Sequence, residues 1–291
     1  MYTEVLAAHC RLFEERMPTF LPVSVPKKDT VIRAMAYACA DGGKRIRPVL
    51  VMEFCRLCCA DASRALPFAA AMEMIHAYSL VHDDMPCMDN SPLRRGKPAV
   101  HAAFGEDMAL LAGDALLNRA FEMVFSADLP AEIVLKAGKL LADAAGVDGM
   151  VGGQCIDLES EGKSIDLETL QLLQDGKTAA LLRASCAMGV AVGGGSAAQL
   201  AAAKTFGENI GLAFQMVDDI LDVTASAETL GKPVGSDAEN EKVTYVSLCG
   251  LEETRRIAAE KTAKAIEALS AFDGDTAHLE KLADALLHRK K

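Results

Sequence analysis

Tryptophan is absent from this 291-residue chain, and four tyrosines and ten phenylalanines bring the aromatics to only 5%. β-branched and aromatic alternation is correspondingly sparse, so a sheet-based fold has little to build on. Positive charge is also short: 30 Lys and Arg face 41 Asp and Glu, a formal net charge of −11. A nucleic-acid partner is therefore excluded, and any phosphate must be held by a local cluster of cations. No uncharged apolar run reaches membrane-spanning length, since even Ala179 to Gly195 is broken by Arg183, which argues against stable membrane insertion. Met1 to Cys10 lacks the basic and apolar blocks of a secretory leader, and the nine cysteines are odd in number and scattered. A secreted disulfide scaffold is thus excluded and a cytoplasmic protein is expected. Cys55 and Cys58 form one CxxC, but no second pair completes a zinc site, so buried thiols are the better reading.

What the chain does contain is Ala, Leu, Met and Glu in long proline-free segments with a 3.6-residue period. Helices are predicted over Thr3–Arg16, Ile46–Cys59, Leu66–Asp84, Asp107–Phe125, Ala131–Ala145, Leu167–Leu173, Thr178–Val190, Ala197–Asp222 and Glu252–Leu269. No linker divides the chain, and the Gly-rich Gly189–Ser196 reads as a turn between packed helices. The expectation is an all-α bundle of about ten or more helices in one domain, 1–291.

Two segments stand apart. From Phe68 to Val81 the pattern is apolar nearly all round, with Glu73, His76 and Ser79 as exceptions, so this helix should run through the centre. It leads into His82, Asp83 and Asp84, with Pro86 ending the helix near the two aspartates. Adjacent carboxylates at the negative end of a helix dipole need a cation nearby. The second segment, Gly211–Asp222, places Gln215, Asp218, Asp219 and Asp222 at i, i+3, i+4 and i+7, opposite an apolar face. A solvated polar stripe is the bland reading, but aspartate is a poor helix former and no Lys or Arg relieves the Asp218/Asp222 repulsion from the stripe itself.

Together, D-D-x4-D at Asp83, Asp84 and Asp89 and D-D-x2-D at Asp218, Asp219 and Asp222 look like two halves of a divalent-cation site. Oxygen-only donors favour Mg²⁺ with substrate phosphates completing its shell, although His82 leaves a softer metal open. Basic patches follow: Lys44, Arg45 and Arg47 beside Gly42-Gly43, then Arg94, Arg95 and Lys97, and the Gly-Lys pairs at Lys177 and Lys232. Each alone reads as a solvated turn; their conjunction with two acidic clusters implies a polyanionic substrate.

These motifs carry a resemblance. HAYSLVHDDMPCMDNSPLRRGKPAVH and GLAFQMVDDILDV are similar to the two aspartate-rich motifs of the short-chain trans-prenyl diphosphate synthases. GGKRIRP, MVGGQCIDL, GKTAALL and LGKPVGSDAENEKVTY follow in the family's order, and the bacterial farnesyl and plant-type geranylgeranyl subgroup fits best. The resemblance implies an isoprenoid-synthase bundle around a central cavity, a homodimer, isoprenoid diphosphate substrates and three Mg²⁺ per substrate-loaded site, with Mn²⁺ as a substitute.

It also implies individual roles. Isopentenyl diphosphate would be held by Lys44, Arg47, His76 and Arg95; the allylic diphosphate by Arg94, Lys177 and Lys232, with Lys242 near the leaving group. Asp83, Asp89 and Asp218 would be the principal metal ligands and Asp84, Asp219 and Asp222 would support them, while Thr178 and Gln215 would lie by the allylic carbon. His76 would not be selected by spacing alone. Tyr78, five residues before Asp83, accompanies a C15 product in the subgroup, with Ser79 one turn upstream of Asp83. Farnesyl diphosphate is therefore expected, with geranylgeranyl diphosphate as the alternative. Two departures stand out: Asn90-Ser91-Pro92 replaces further acidic residues, and Glu239-Asn240-Glu241 places acid beside Lys242. A class I terpene cyclase would share the bundle and Mg²⁺ but carry an Asn/Ser/Glu-type second motif, a head-to-head synthase would carry D-x3-D motifs, and a non-catalytic partner subunit would carry degraded ones.

Overall fold

The computed structural model describes residues 2–40, 43–224 and 243–289. At its centre runs α4, Leu66–Asp83, in which Phe68 through Ile75 are buried without interruption. A helix without a polar stripe is stable only where neighbours cover every side. Here they come from α1 (Glu4–Phe20), α2 (Asp29–Cys39), α3 (Ile46–Cys59), α6 (Glu106–Phe125) and α7 (Ala131–Ala145).

A second core joins α3 to α10 (Ala180–Gly193), α11 (Ala197–Thr224) and α14 (Ala277–Leu287), where Phe54 meets Phe206 and Phe272 edge-on at centroid distances of 5.4 and 5.5 Å. The expected all-α architecture is what the chain adopts. α5 (Val100–Phe104), α8 (Met150–Ser160), α9 (Leu167–Gln174), α12 (Tyr245–Cys249) and α13 (Leu251–Ala268) complete it. Among the described residues no helix is long and apolar enough to cross a membrane.

Several elements differ from the sequence reading. α2, α8 and α14 are helices that the periodicity did not single out, α8 because its Gly152-Gly153 pair weakens a helical reading. Gly189 to Gly193 is not turn but helix; a Cβ on Gly189 would lie 2.4 Å from the Val51 carbonyl oxygen, so the run lets α10 press onto α3 and the turn begins only at Gly194. The predicted start at Thr178 is instead part of a π-helical turn, Asp175–Ala179, between α9 and α10. Two two-residue strands, β1 (Leu93–Arg94) and β2 (Lys97–Pro98), form a hairpin too short for a periodic signal. Its turn residues Arg95 and Gly96 both have positive φ, 52° and 77°, as a primed turn demands. Cys55 Sγ lies 3.6 Å from Cys59 rather than pairing with Cys58, and all nine thiols are free.

The π turn is seated by glycine. A Cβ on Gly153 of α8 would fall 2.1 Å from the Lys177 backbone nitrogen, and one on Gly176 would fall 2.9 Å from Gly153 Cα. Such an approach between two backbones cannot be relieved by a rotamer change. Gly153→Ala is therefore expected to destabilise the fold by about 1–3 kcal/mol. Gly138→Ala, whose Cβ would meet only the Phe125 ring at 3.2 Å, should cost much less. Urea unfolding of both variants checks this, and equal midpoints would contradict it.

Candidate active site

The end of α4 builds the acidic side. Asp83 is its last residue and Asp84 its C-cap, and the chain then folds back so that the Asp89 N–H donates to the Asp83 carbonyl at 2.9 Å. Asn90 takes a left-handed φ of 48°, the Ser91 N–H closes on the Asp84 carbonyl at 3.1 Å, and the Ser91 carbonyl faces His101 Nε2 at 3.0 Å. The non-acidic Asn90-Ser91-Pro92 thus seals this loop through its backbone.

Asp84 is nearly buried at 2% exposure and is chelated by Arg94 of β1, whose Nε lies 3.0 and 3.1 Å from its two carboxylate oxygens. This is the compensating cation that the helix end requires. Asp83 accepts a hydrogen bond from Gln154 Nε2 of α8 at 2.6 Å and lies 3.8 Å from both Lys177 and Arg94. Lys177 is itself drawn to Asp157 at 2.5 Å. Burial pushes the Asp83 carboxyl above its ordinary range, Asp89 adds to this, and Lys177, Arg94 and Gln154 only partly offset it.

Hard oxygen donors carrying more negative charge than their neighbours cancel are what a divalent ion of the Mg²⁺ class accepts, so Asp83 and Asp89 fit such a group. Among the described residues no three acidic, imidazole or thiol groups already converge. The second acidic cluster, on α11, carries Asp218, 2.7 Å from Arg289; Asp219, which accepts the Tyr245 N–H at 2.8 Å; and the buried Asp222. Lys232 and Lys242, with residues 225–242 generally, lie outside the described residues, as does Gly42.

The cationic side faces a pocket of about 330 Å³ lined by Lys44, Arg47, His76, Arg95, Phe214 and Gln215, among others. Its scaffold is Arg45, which occupies a left-handed conformation at φ 46°. From there it donates to Glu14 at 2.5 Å, Glu73 at 2.6 Å and the Cys39 carbonyl at 2.9 Å. Burial opposes its charge, but Glu73 and Glu14 overcome that and hold the guanidinium firmly protonated. Arg45 is thereby spent on structure and fixes the backbone between Lys44 and Arg47.

Arg47 has a buried Nε with no partner among the described residues, and burial, with Arg95 assisting against Glu73, pulls its guanidinium down to about 10. His76 opens on the same pocket and is held well below its ordinary value by burial and then by Arg47, Arg95, Arg45 and Arg94. Cations crowded together with a donor left unmade describe an anion site.

A second space, about 550 Å³, is lined by Asp83, Lys177, Tyr78, Met88, Met150 and Leu158, among others. It shares Arg47, His76 and Thr178 with the cationic pocket. Thr178, on the π turn, donates to Gln215 Oε1 at 3.1 Å where the two spaces meet. Tyr78 is 6% exposed, contacts His82 edge-on at 5.8 Å, and has its hydroxyl pushed up to about 12 by burial. Ser79 is turned back, its hydroxyl donating to the His76 carbonyl at 2.8 Å.

Asp83, Lys177, Thr178, Gln215 and the cations around Arg47 are therefore gathered about one cavity system, with Asp89 beside Asp83. Gln154, Asp157 and Arg289 were missed as site residues. The first two lie inside the MVGGQCIDL motif but carry no signal of role, and Arg289 sits 71 residues from Asp218 in sequence.

Because His76 stays neutral when folded, while an unfolded histidine takes up a proton near pH 6.5, stability is present above about 6.5 and is lost as pH falls below it. The limiting slope for one group is about 1.4 kcal/mol per pH unit, reduced here because His76 meets pocket water. Between pH 7 and 5 the His76→Gln variant should lose less stability than the wild type in urea unfolding; parallel pH profiles would contradict this.

The polyprenyl synthetase family model matches residues 28–285. A chloroplastic "heterodimeric geranylgeranyl pyrophosphate synthase large subunit 1" of Arabidopsis thaliana is 44% identical over 298 residues, spanning 99% of this chain and 80% of that one. The chloroplastic geranylgeranyl pyrophosphate synthase 3 of the same plant is 47% identical over 267 residues, 89% of this chain and 74% of that one. Among solved structures, an FPP/GFPP synthase of Zymomonas mobilis is 37% identical with a TM-score of 0.86 over 97% of both chains. A geranylgeranyl pyrophosphate synthetase of Pyrococcus horikoshii is 32% identical with a TM-score of 0.89 over 98% of both. With both aspartate clusters, the arginine-lined pocket and the apolar cavity in place, the chain belongs to the polyprenyl synthetase family and is a prenyltransferase.

Proposed function

We propose that this prenyltransferase acts as a single domain that condenses isopentenyl diphosphate with an allylic diphosphate in trans geometry, with geranylgeranyl diphosphate as its product. The observation that carries this reading is the placing of Thr178 and Gln215 where an arginine-lined anion pocket meets an apolar cavity edged by Asp83 and Lys177.

In this reading Lys44, Arg47, His76 and Arg95 hold the diphosphate of isopentenyl diphosphate. Neutral His76 donates a hydrogen bond and adds no like charge to the arginines. Arg94 and Lys177, with Lys232 and Lys242, hold the allylic diphosphate. Asp83, Asp89 and Asp218 hold Mg²⁺, and Asp84, Asp219 and Asp222 support them by fixing Arg94 and the α11 frame. When bound, Mg²⁺ supplies Lewis-acid neutralisation of the departing diphosphate.

The allylic C–O bond breaks with its electron pair leaving on diphosphate, and the isopentenyl double bond attacks the resulting cation. A proton then leaves to diphosphate to form the new alkene. Thr178 and Gln215 close the junction around the reacting carbons, and the apolar wall of Tyr78, Met150 and Leu158 excludes water that would quench the cation.

The C20 product is supported by the geranylgeranyl synthases among the relatives and by the size of the cavity, about 550 Å³, which is lined by Tyr78 on α4 and by Val151 and Leu158 on α8. One observation favours C15 instead: the buried Tyr78 stands in the wall five residues before Asp83.

A homodimer in the cytoplasm belongs to the same reading, supported by exposed Leu110, Leu111, Phe125 and Leu135 on α6 and α7. The Arabidopsis large subunit favours a mixed assembly.

Incubation with labelled isopentenyl and dimethylallyl diphosphates should give Mg²⁺-dependent geranylgeraniol after dephosphorylation. Farnesol alone would replace the C20 product by C15, and no elongated alcohol from folded protein would overturn the synthase reading. Tyr78→Ala should lengthen the main product by at least one isoprene unit, and an unchanged product spectrum would remove Tyr78 as a limit.

A further inference from the structure

The α11 acidic stripe has no cation of its own, and among the described residues a guanidinium from the far end of the chain reaches it. Arg289 lies two residues beyond α14, and its guanidinium is drawn into the site until the side chain is only 7% exposed. Nη2 is 2.7 Å from Asp218 Oδ1 and donates to the Phe214 carbonyl at 2.9 Å, while the guanidinium carbon sits 3.8 Å from the Phe214 ring centroid. Phe214 and Asp218 are one helical turn apart, so one guanidinium addresses both.

The seat is imperfect in two respects. Arg289 Nε is buried with no partner among the described residues, which leaves a desolvated donor unmade. Lys44 Nζ lies 5.8 Å from the same ring, so two cations share one aromatic ring and repel each other; the Lys44 ammonium is lowered by burial and then by Arg289, with Asp218 acting in the opposite direction. A group whose one ion pair is to a partly exposed carboxylate, with an unmade donor and a like charge against it, is poised to leave when a better cation arrives, its carbonyl and ring contacts to Phe214 notwithstanding.

We propose that Arg289 is a displaceable counter-ion of Asp218, occupying its carboxylate until a divalent cation takes that position and turns the end of α14 out of the site. This rests on Asp218 being a metal ligand. Arg289 then acts as a positioning residue through Asp218: it keeps the α11 carboxylates in register without metal and sets how readily metal enters.

Mn²⁺ binding, read by electron paramagnetic resonance with saturating inorganic diphosphate, tests this on wild type, Arg289→Gln, Arg289→Lys and Asp218→Asn. Arg289→Gln should bind Mn²⁺ about three- to tenfold more tightly than wild type, as expected for removing one partly exposed ion pair, and Arg289→Lys should return towards wild type. Asp218→Asn should weaken binding at least about tenfold. Weakened binding in Asp218→Asn with unchanged or weaker binding in Arg289→Gln overturns the counter-ion proposal and leaves the metal site standing. Unchanged binding in Asp218→Asn overturns both. Should Arg289→Gln fail to fold, hydrogen exchange in the wild type decides. Amides of residues 281–289 should exchange faster on adding Mn²⁺, and unchanged or slower exchange overturns the proposal.

Discussion

Every carboxylate buried along α4 must be paired, and each pairing pulls another element into the site. Glu73 draws in Arg45, Asp84 draws in Arg94 of the hairpin, and Asp83 draws in Gln154 and Lys177 from α8 and the π turn. Leaving any of these acids uncompensated in so apolar a surrounding would cost several kcal/mol, so the helix with almost no polar face dictates where the polar residues of four other segments go. Glu73 and Asp84 each hold a guanidinium within hydrogen-bond distance, whereas Asp83 stands 3.8 Å from its two cations and lines the larger cavity. Stability and chemistry thus divide along one helix according to how fully each charge is met.

The same division holds among the cations. Arg45 makes three directed bonds and is structural, although it stands between two residues assigned to substrate. Arg47, two positions on, is left with an unmade donor beside Arg95 and a neutral His76. An acidic protein with a net charge of −11 can therefore bind diphosphate, because its sign is decided locally by which charges the fold leaves unpaired.

Much of this was legible in the sequence. The unbroken apolar pattern of α4 announced a central helix, and the spacing of Asp218, Asp219 and Asp222 announced one shared face, because both follow from the period of the helix itself. The need for a cation near Asp84 was also readable as electrostatics, but not its source: Arg94 reaches it through a hairpin of four paired residues whose turn depends on positive φ. Gln154 and Asp157 were hidden because a Gly-Gly pair reads as a break until the glycine contact with Lys177 is seen. Arg289 was hidden because nothing local links it to Asp218. Relations between distant segments, unlike periodicity, leave no mark on either segment alone. Product length is the same kind of property, since the cavity is walled by α4, α8 and α10 together.

The central claim is that unbalanced negative charge at Asp83, with Asp89 beside it, and unbalanced positive charge around Arg47 face one another across a single cavity system. A crystal structure grown with Mn²⁺ and isopentenyl diphosphate tests this most directly. The account predicts anomalous Mn²⁺ density on Asp83 and Asp89 and a diphosphate on Arg47, Arg95 and His76. Diphosphate seated away from the arginines, or Mn²⁺ bound without either aspartate, would contradict it.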